Sequence, residues 1–230
     1  MIKTNYIGHD LAYQHRRNNP EYAGWSKQEE VAETWREIWQ PLIENRAFPK
    51  HGQLLELGCG AGNLSIAFAQ AGYDVTGIDI APTAISWATE NAAKANVNAT
   101  FLLGDVLNLA NLADDSFDIL VDGHCFHCII GGDRAQFLQS AHRVLKVGGI
   151  LTICTMCNEV PDTEYFREHF DDTLRCAIHD GVATRYIGDS NDIIQEVIDA
   201  RFKILDIQVI PPEPDKEGDL ADLRLIAECR

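Results

Sequence analysis

Acidic residues stand at the ends of three successive apolar runs. The first run closes as Glu56-Leu57-Gly58-Cys59-Gly60-Ala61-Gly62, the second ends in Asp79, and the third passes into Gly104-Asp105-Val106. Glycines directly after an apolar run allow a tight turn and let a ligand approach the main chain with no Cβ in the way. Asp79 lies 23 residues beyond Glu56, where a carboxylate can accept hydrogen bonds from ribose hydroxyls. Asp105 is placed to accept one from an adenine amino group. A nicotinamide-type fingerprint would carry its third glycine at position 63, and that residue is Asn63. The chemistry these residues suit is the holding of a nucleoside.

A second group follows the fourth apolar run: Asp122-Gly123-His124-Cys125-Phe126-His127-Cys128. An imidazole titrates near neutral pH, so His124 and His127 are the candidate catalytic bases; packing beneath the site is the other role open to His127. Two CxxC pairs, Cys125/Cys128 and Cys154/Cys157, raise zinc or a thiophilic substrate atom as a further chemistry. Against this, the period of two along a strand sends residues 154 and 157 to opposite faces, and reduced cysteine is a common small buried hydrophobe. No metal is assigned. Arg185 and Tyr186 offer a cation and a phenol as candidate substrate-binding residues, Arg185 pairing an anionic group.

These residues need a frame, and the chain supplies one from residue 53 onward. Short β-branched or aliphatic runs alternate with helical patterns, which argues for βαβ units and a parallel sheet. The strands read as QLLELG, DVTGID, ATFLLGD, SFDILVD, GGILTICTM, FKILDIQVI and LADLRLIAE; the helices span 63–71, 82–95, the run DRAQFLQSAHRVLK capped by Asp133, and a last one capped by Ser190. Pro82 falls at a first helical turn, where its missing N–H costs nothing. The turn-rich PPEPDKEG between the last two strands suits an antiparallel hairpin. Residues 157–188 break the rhythm and read as a substrate-side insertion. In an open parallel sheet, ligands lie outside the carboxyl ends of the strands, so the three strand-end acids describe one crevice.

With ELGCGAG, VTGIDIAP, LLGDV, DSFDILVD and HRVLKVGGILTI in that order, the sequence resembles the class I S-adenosylmethionine-dependent methyltransferases from about residue 50 to its end. The resemblance implies an α/β fold: a Rossmann-like seven-stranded sheet, mostly parallel with an antiparallel last strand and helices on both faces. It places Glu56, Gly58, Cys59 and Gly60 against the methionine moiety and ribose, Asp79 and Ile80 at the ribose and adenine, Asp105 and Val106 at the adenine, and Asp122 beside the cofactor. An acid-lined pocket suits S-adenosylmethionine, a sulfonium cation without phosphates.

Residues 1–50 read as an N-terminal helical lid segment on a domain of residues 51–230. Ser26 and Glu29 form a capping-box pattern opening a helix with Val31, Trp35, Ile38 and Trp39 on one face, which Pro41 should kink or end. Ahead of it Tyr6, Tyr13, Tyr22 and Trp25 sit among polar residues, a composition suited to an extended cover. Trp25 and Tyr13 are the expected cofactor-covering residues.

Composition narrows the partners. The chain has 230 residues with 19 Lys+Arg against 35 Asp+Glu, a net charge of −16. That charge repels a phosphate backbone and an anionic membrane surface. The polar start carries no secretory apolar run, no stretch reaches the roughly 18 apolar residues of a membrane span, and seven scattered cysteines suit reduced thiols in the cytoplasm. The expected function is methyl transfer to a small-molecule acceptor. The alternative is a non-catalytic cofactor-binding protein, or a thiol/histidine metal-binding sensor, on the same fold.

Overall fold

The computed structural model describes Thr4 and residues 7–230; Tyr6 lies outside the described residues. The chain runs α1 (Ile7–Arg17), α2 (Gln28–Thr34), α3 (Gln40–Glu44), β1 (Gln53–Leu57), α4 (Asn63–Gln70), β2 (Asp74–Asp79), α5 (Pro82–Ala95), β3 (Ala99–Leu103), β4 (Phe117–Gly123), α6 (Asp133–Val144), β5 (Leu145–Cys157), α7 (Glu164–His169), β6 (Phe170–Asp171), β7 (Cys176–His179), β8 (Val182–Tyr186), α8 (Ser190–Asp199), β9 (Phe202–Ile210) and β10 (Ala221–Cys229). Seven strands form one sheet in the order β3-β2-β1-β4-β5-β10-β9. β10 pairs antiparallel with both neighbours, and the other pairings are parallel. The order reverses at β1, with β2 on one side and β4 on the other, the place where an α/β sheet opens a crevice.

Alternate residues of each strand bury into opposite faces. Leu55, Leu57, Leu120, Leu151 and Ile153 meet Phe137, Leu138, Ile193 and Val197 of α6 and α8. Leu54, Val75, Ile119 and Val121 meet Trp39, Leu42, Phe48 and Phe68 on the other side. Helices therefore cover both faces. Among the described residues no helix is long and apolar enough to cross a membrane.

The N-terminal region departs from expectation in three ways. The stretch around Tyr13, expected to be extended, is helical in α1. Its docking supplies what its composition lacks: Asp10 accepts the Thr83 N–H at the start of α5 (2.8 Å), and Arg17 pairs with Glu90. The α2 start lies one residue later than the Ser26/Glu29 pattern, with the Lys27 N–H donated to Glu30 (2.8 Å). Of the kink or stop expected at Pro41, the stop does not occur. A π-helical turn, Trp35–Trp39, carries the chain into α3, and the Glu37 carbonyl, whose helical partner would be the absent N–H of Pro41, instead accepts from Arg224 Nη1 (3.1 Å).

Two later caps also move by one residue. Gly132, not Asp133, precedes α6, and Asp189, not Ser190, caps α8 by accepting the Asn191 N–H. Residues 157–188 carry α7 and a separate three-stranded sheet, β6-β7-β8.

Candidate active site

The loop after β1 is tied down from both sides. Gly58 and Cys59 donate their N–H groups to the Ile78 carbonyl (2.8 and 3.0 Å), and Gly60 donates to Asp79 Oδ2 (2.8 Å). Asp79 Oδ1 accepts from Ala81 (2.9 Å), so one carboxylate fixes the glycine loop and the turn into α5. Burial raises the Asp79 pKa, opposed by those backbone N–H groups. Two glycines are required by contact: a Cβ on Gly58 would lie 2.6 Å from the Cys125 Cβ, and one on Gly60 would collide with the Tyr13 hydroxyl. Both have positive φ, +71° and +52°, which glycine adopts without strain.

Glu56 is 3% exposed and accepts from the Ser65 hydroxyl. Burial pushes its pKa up to about 8, with Asp79 and Asp122 adding to the rise and the Ser65 hydrogen bonds opposing it. No salt bridge reaches it among the described residues.

The second motif forms a turn on Asp122. Oδ1 of this fully buried residue accepts the N–H groups of Cys125 and Phe126, each at 2.8 Å. Oδ2 has no partner among the described residues, and burial lifts the pKa to about 7. The turn holds His124 at φ +68°, a conformation costing a non-glycine residue about 1 kcal/mol or more. The rings of His124 and His127 lie 5.8 Å apart. Burial lowers both imidazole pKa values. His127 is driven furthest, with His124, Arg185, Arg134 and His9 adding to burial, so both rings are neutral at neutral pH. His127 Nδ1 is buried without a partner among the described residues.

One cavity of about 1200 Å³ collects these groups. Glu56, Gly58, Cys59, Gly60, Asp79, Ile80, Val106, Trp25, His124, His127 and Arg185 all line it. Three expected residues do not. Asp105 accepts the Leu107 N–H (2.9 Å) and shapes its own turn, Asp122 lies beneath the histidine turn, and Tyr186 packs against the Arg134 guanidinium, 4.3 Å from its ring centre. Cys59, Cys125 and Cys128 line the cavity, whereas Cys154 and Cys157 are buried in cores on opposite faces of the sheet. Tyr13, expected with Trp25 to cover the cofactor, lines the cavity too, and the structure adds His9 and Trp35. The Tyr13 and Trp25 rings meet edge to face at 5.6 Å, and Arg16 stacks on Trp25 at 4.1 Å.

A model of the methyltransferase domain matches residues 49–201. The chain belongs to that family. By fold it is a class I, S-adenosylmethionine-dependent methyltransferase domain, with the seven-stranded sheet and single reversed strand described above. It is similar to the putative methyltransferase YqeM of Bacillus subtilis, 32% identical over 117 residues that cover 49% of the chain and 45% of that protein. It is also similar to the ribosomal RNA small subunit methyltransferase C of Alcanivorax borkumensis, 27% identical over 56% of the chain and 39% of that protein. The matches thus span less than half the length of these relatives. Among solved structures, a Pyrococcus horikoshii OT3 protein superposes with a TM-score of 0.72 at 20% identity, covering 94% of this chain and 99% of that one. The 1,6-didemethyltoxoflavin-N1-methyltransferase of Burkholderia thailandensis, solved with 1,6-didemethyltoxoflavin and S-adenosylhomocysteine, gives 0.65 at 17% identity over 95% and 84%.

The residues present fit that cofactor. Glu56, a buried carboxyl that no salt bridge reaches among the described residues, offers a place for an ammonium group, and Gly58, Cys59 and Gly60 line the same cavity beside it.

Proposed function

We propose that this chain transfers the methyl group of S-adenosylmethionine to a small-molecule acceptor. The observation that supports this reading is the single chamber itself. The glycine loop with Glu56 and Asp79 opens into the same space as His124, His127 and Cys128, and Tyr13 and Trp25 from the N-terminal segment line it too. A chamber of this size suits a nucleoside cofactor and a small acceptor side by side. The net charge of −16 opposes a polynucleotide acceptor.

In this reading Glu56, Gly58, Cys59 and Gly60 hold the amino-acid portion of the cofactor, and Asp79, Ile80 and Val106 its nucleoside. S-adenosylmethionine, when bound, supplies a methyl group activated by a sulfonium. The chain aligns the acceptor, excludes water and takes up a proton where the acceptor arrives protonated. His124, neutral and only partly buried, is the proton acceptor, and His127 stands beside it. Asp122 and Asp105 act on the site through the turns they hold. Residues 1–50 serve as the lid over a domain of residues 51–230. Seven unpaired cysteines suit a reducing, cytoplasmic setting.

The sensor reading has less support. Among the described residues no three His, Cys, Asp or Glu side chains are grouped to hold a metal. The test is S-adenosylhomocysteine formation against thiols, phenols, amines, metalloids and structured RNA. Turnover confined to small acceptors supports the proposal, turnover confined to RNA or protein overturns the acceptor class, and failure to bind S-adenosylhomocysteine overturns the whole reading.

A further inference from the structure

The two ends of the cavity differ in charge. Among the described residues its only acidic lining residues are Glu56 and Asp79, both at the glycine-loop end. The other end gathers Arg185 from β8, His9 from α1, and His124, His127 and Cys128 from the turn after β4; the remaining cations of the lining are Arg36, which is exposed, and Lys216, which pairs with Glu213 and Asp219. Arg185 is half-buried there. Six other arginines, Arg17, Arg134, Arg143, Arg167, Arg175 and Arg224, each have a carboxylate within 4.0 Å. Arg185 has none among the described residues; of the others without one, Arg36, Arg46, Arg201 and Arg230 are exposed and Arg16 stacks on Trp25, so Arg185 is the half-buried guanidinium left without either kind of partner among the described residues. Its charge acts on His9, His127 and Cys128, a histidine pair and a thiol that supply no counter-charge. His127 is 4% exposed with Nδ1 unpartnered. Trp35, Ile129 and Met156 add apolar wall.

We propose that this end is an anion subsite: the acceptor is an aromatic or otherwise apolar acid whose carboxylate pairs with Arg185 and accepts hydrogen bonds from His9 and His127. Half-buried and uncompensated, the guanidinium offers a planar pair of donors matched to a carboxylate. Both imidazoles are pushed toward neutrality by burial first and Arg185 second or later, so they donate N–H groups without adding charge. The inference rests on the methyl-transfer reading in taking the anion to be part of the acceptor.

Calorimetric binding of benzoate, 4-hydroxybenzoate and indole-3-acetate, each beside its uncharged carboxamide, tests the proposal with and without saturating S-adenosylhomocysteine. At least one acid should bind about tenfold or more tighter than its amide. Arg185→Gln should erase that preference and Arg185→Lys keep part of it, with melting temperature and S-adenosylhomocysteine affinity unchanged. Equal binding of acids and amides, no binding of any acid at millimolar concentration, or a preference that survives Arg185→Gln would overturn the subsite. Loss of S-adenosylhomocysteine binding with the acid preference intact would instead overturn the methyl-transfer reading and leave the anion site standing.

Discussion

The Tyr13 hydroxyl of α1 rests on the bare Cα of Gly60, in the loop that follows β1. Contact at this point couples two segments 47 residues apart in sequence, the N-terminal helix and the cofactor loop. Gly60→Ala introduces a Cβ where the hydroxyl stands and strains a backbone at φ +52°. The expected result is a loss of S-adenosylhomocysteine affinity of about tenfold or more, from roughly 1–3 kcal/mol of strain and displaced packing. Limited proteolysis should then cut between α1 and α2 faster than in the parent chain. Gly60→Ala combined with Tyr13→Ala, which removes the collision, should recover part of the affinity.

Glu56 predicts a proton linkage. Burial lifts its pKa to about 8, so at pH 7 the free protein holds it mostly protonated, and a cationic ligand group beside it favours the ionised form. Binding of S-adenosylmethionine at pH 7 should release up to about one proton from this carboxyl, read from calorimetry in buffers of different ionisation enthalpy. The sign for stability follows from the same shift. A carboxyl raised from 4.5 to about 8 is neutral in the fold but ionised in the unfolded chain between those values. Its contribution to stability is therefore greatest at and below pH 4.5 and declines as pH rises to about 8. In Glu56→Gln both the proton release and this part of the pH slope in urea unfolding should vanish.

Arg134 holds the histidine turn from below. It is 3% exposed, and donates to Phe126 O (2.9 Å) and Ile129 O (3.3 Å) while meeting both oxygens of Glu196. Removing Arg134 leaves the Glu196 carboxylate without its partner and takes the guanidinium from the Ile129 carbonyl, while the Phe126 carbonyl keeps the Ile129 N–H (3.2 Å). Arg134→Ala should cost about 3 kcal/mol of stability in denaturant unfolding. Methyl transfer should slow while S-adenosylhomocysteine affinity changes little, because the turn and not the glycine loop loses its support. Arg134→Lys, which keeps the charge but not the forked geometry, should fall between.

The strands of the large sheet and the helices between them were legible because their pattern is local: DVTGID and FKILDIQVI have the bounds read from the sequence, as does the helix opening at Pro82, whereas α7 and the β6-β7-β8 sheet fall in the stretch read only as an insertion. The acids at the ends of β1 and β2 were legible for the same reason, each sitting at the end of an apolar run. What escaped depends on distant partners. α1 is polar in sequence and becomes a packed helix only through Asp10 on Thr83 and Tyr13 on Gly60. Pro41 reads as either a kink or a stop, because Arg224, 183 residues on, which takes up the Glu37 carbonyl, is invisible locally. Asp105 and Asp122 turn back on their own backbone, which residue type alone does not reveal. His9 carried no local signal. Arg134 carried a faint one, a cation in the first turn of α6, where the helix dipole disfavours it.

The cysteines make the last prediction, on metal removal. Two CxxC pairs invite zinc, but the pleat divides one of them: Cys154 joins the core containing Trp39 and Phe68, and Cys157 the core containing Leu223 and Ile193 on the other face. Burial raises both thiol pKa values, and those of Cys125 and Cys128 as well, whereas a metal-binding thiol must give up its proton. Overnight dialysis against EDTA should therefore leave the melting temperature within about 1 °C, since no folding energy resides in a metal site. Cys154→Ala should behave as the loss of a small packed hydrophobe, destabilising by about 1 kcal/mol. A melting temperature that falls by several degrees in chelator and returns with added zinc would contradict this account of the thiols.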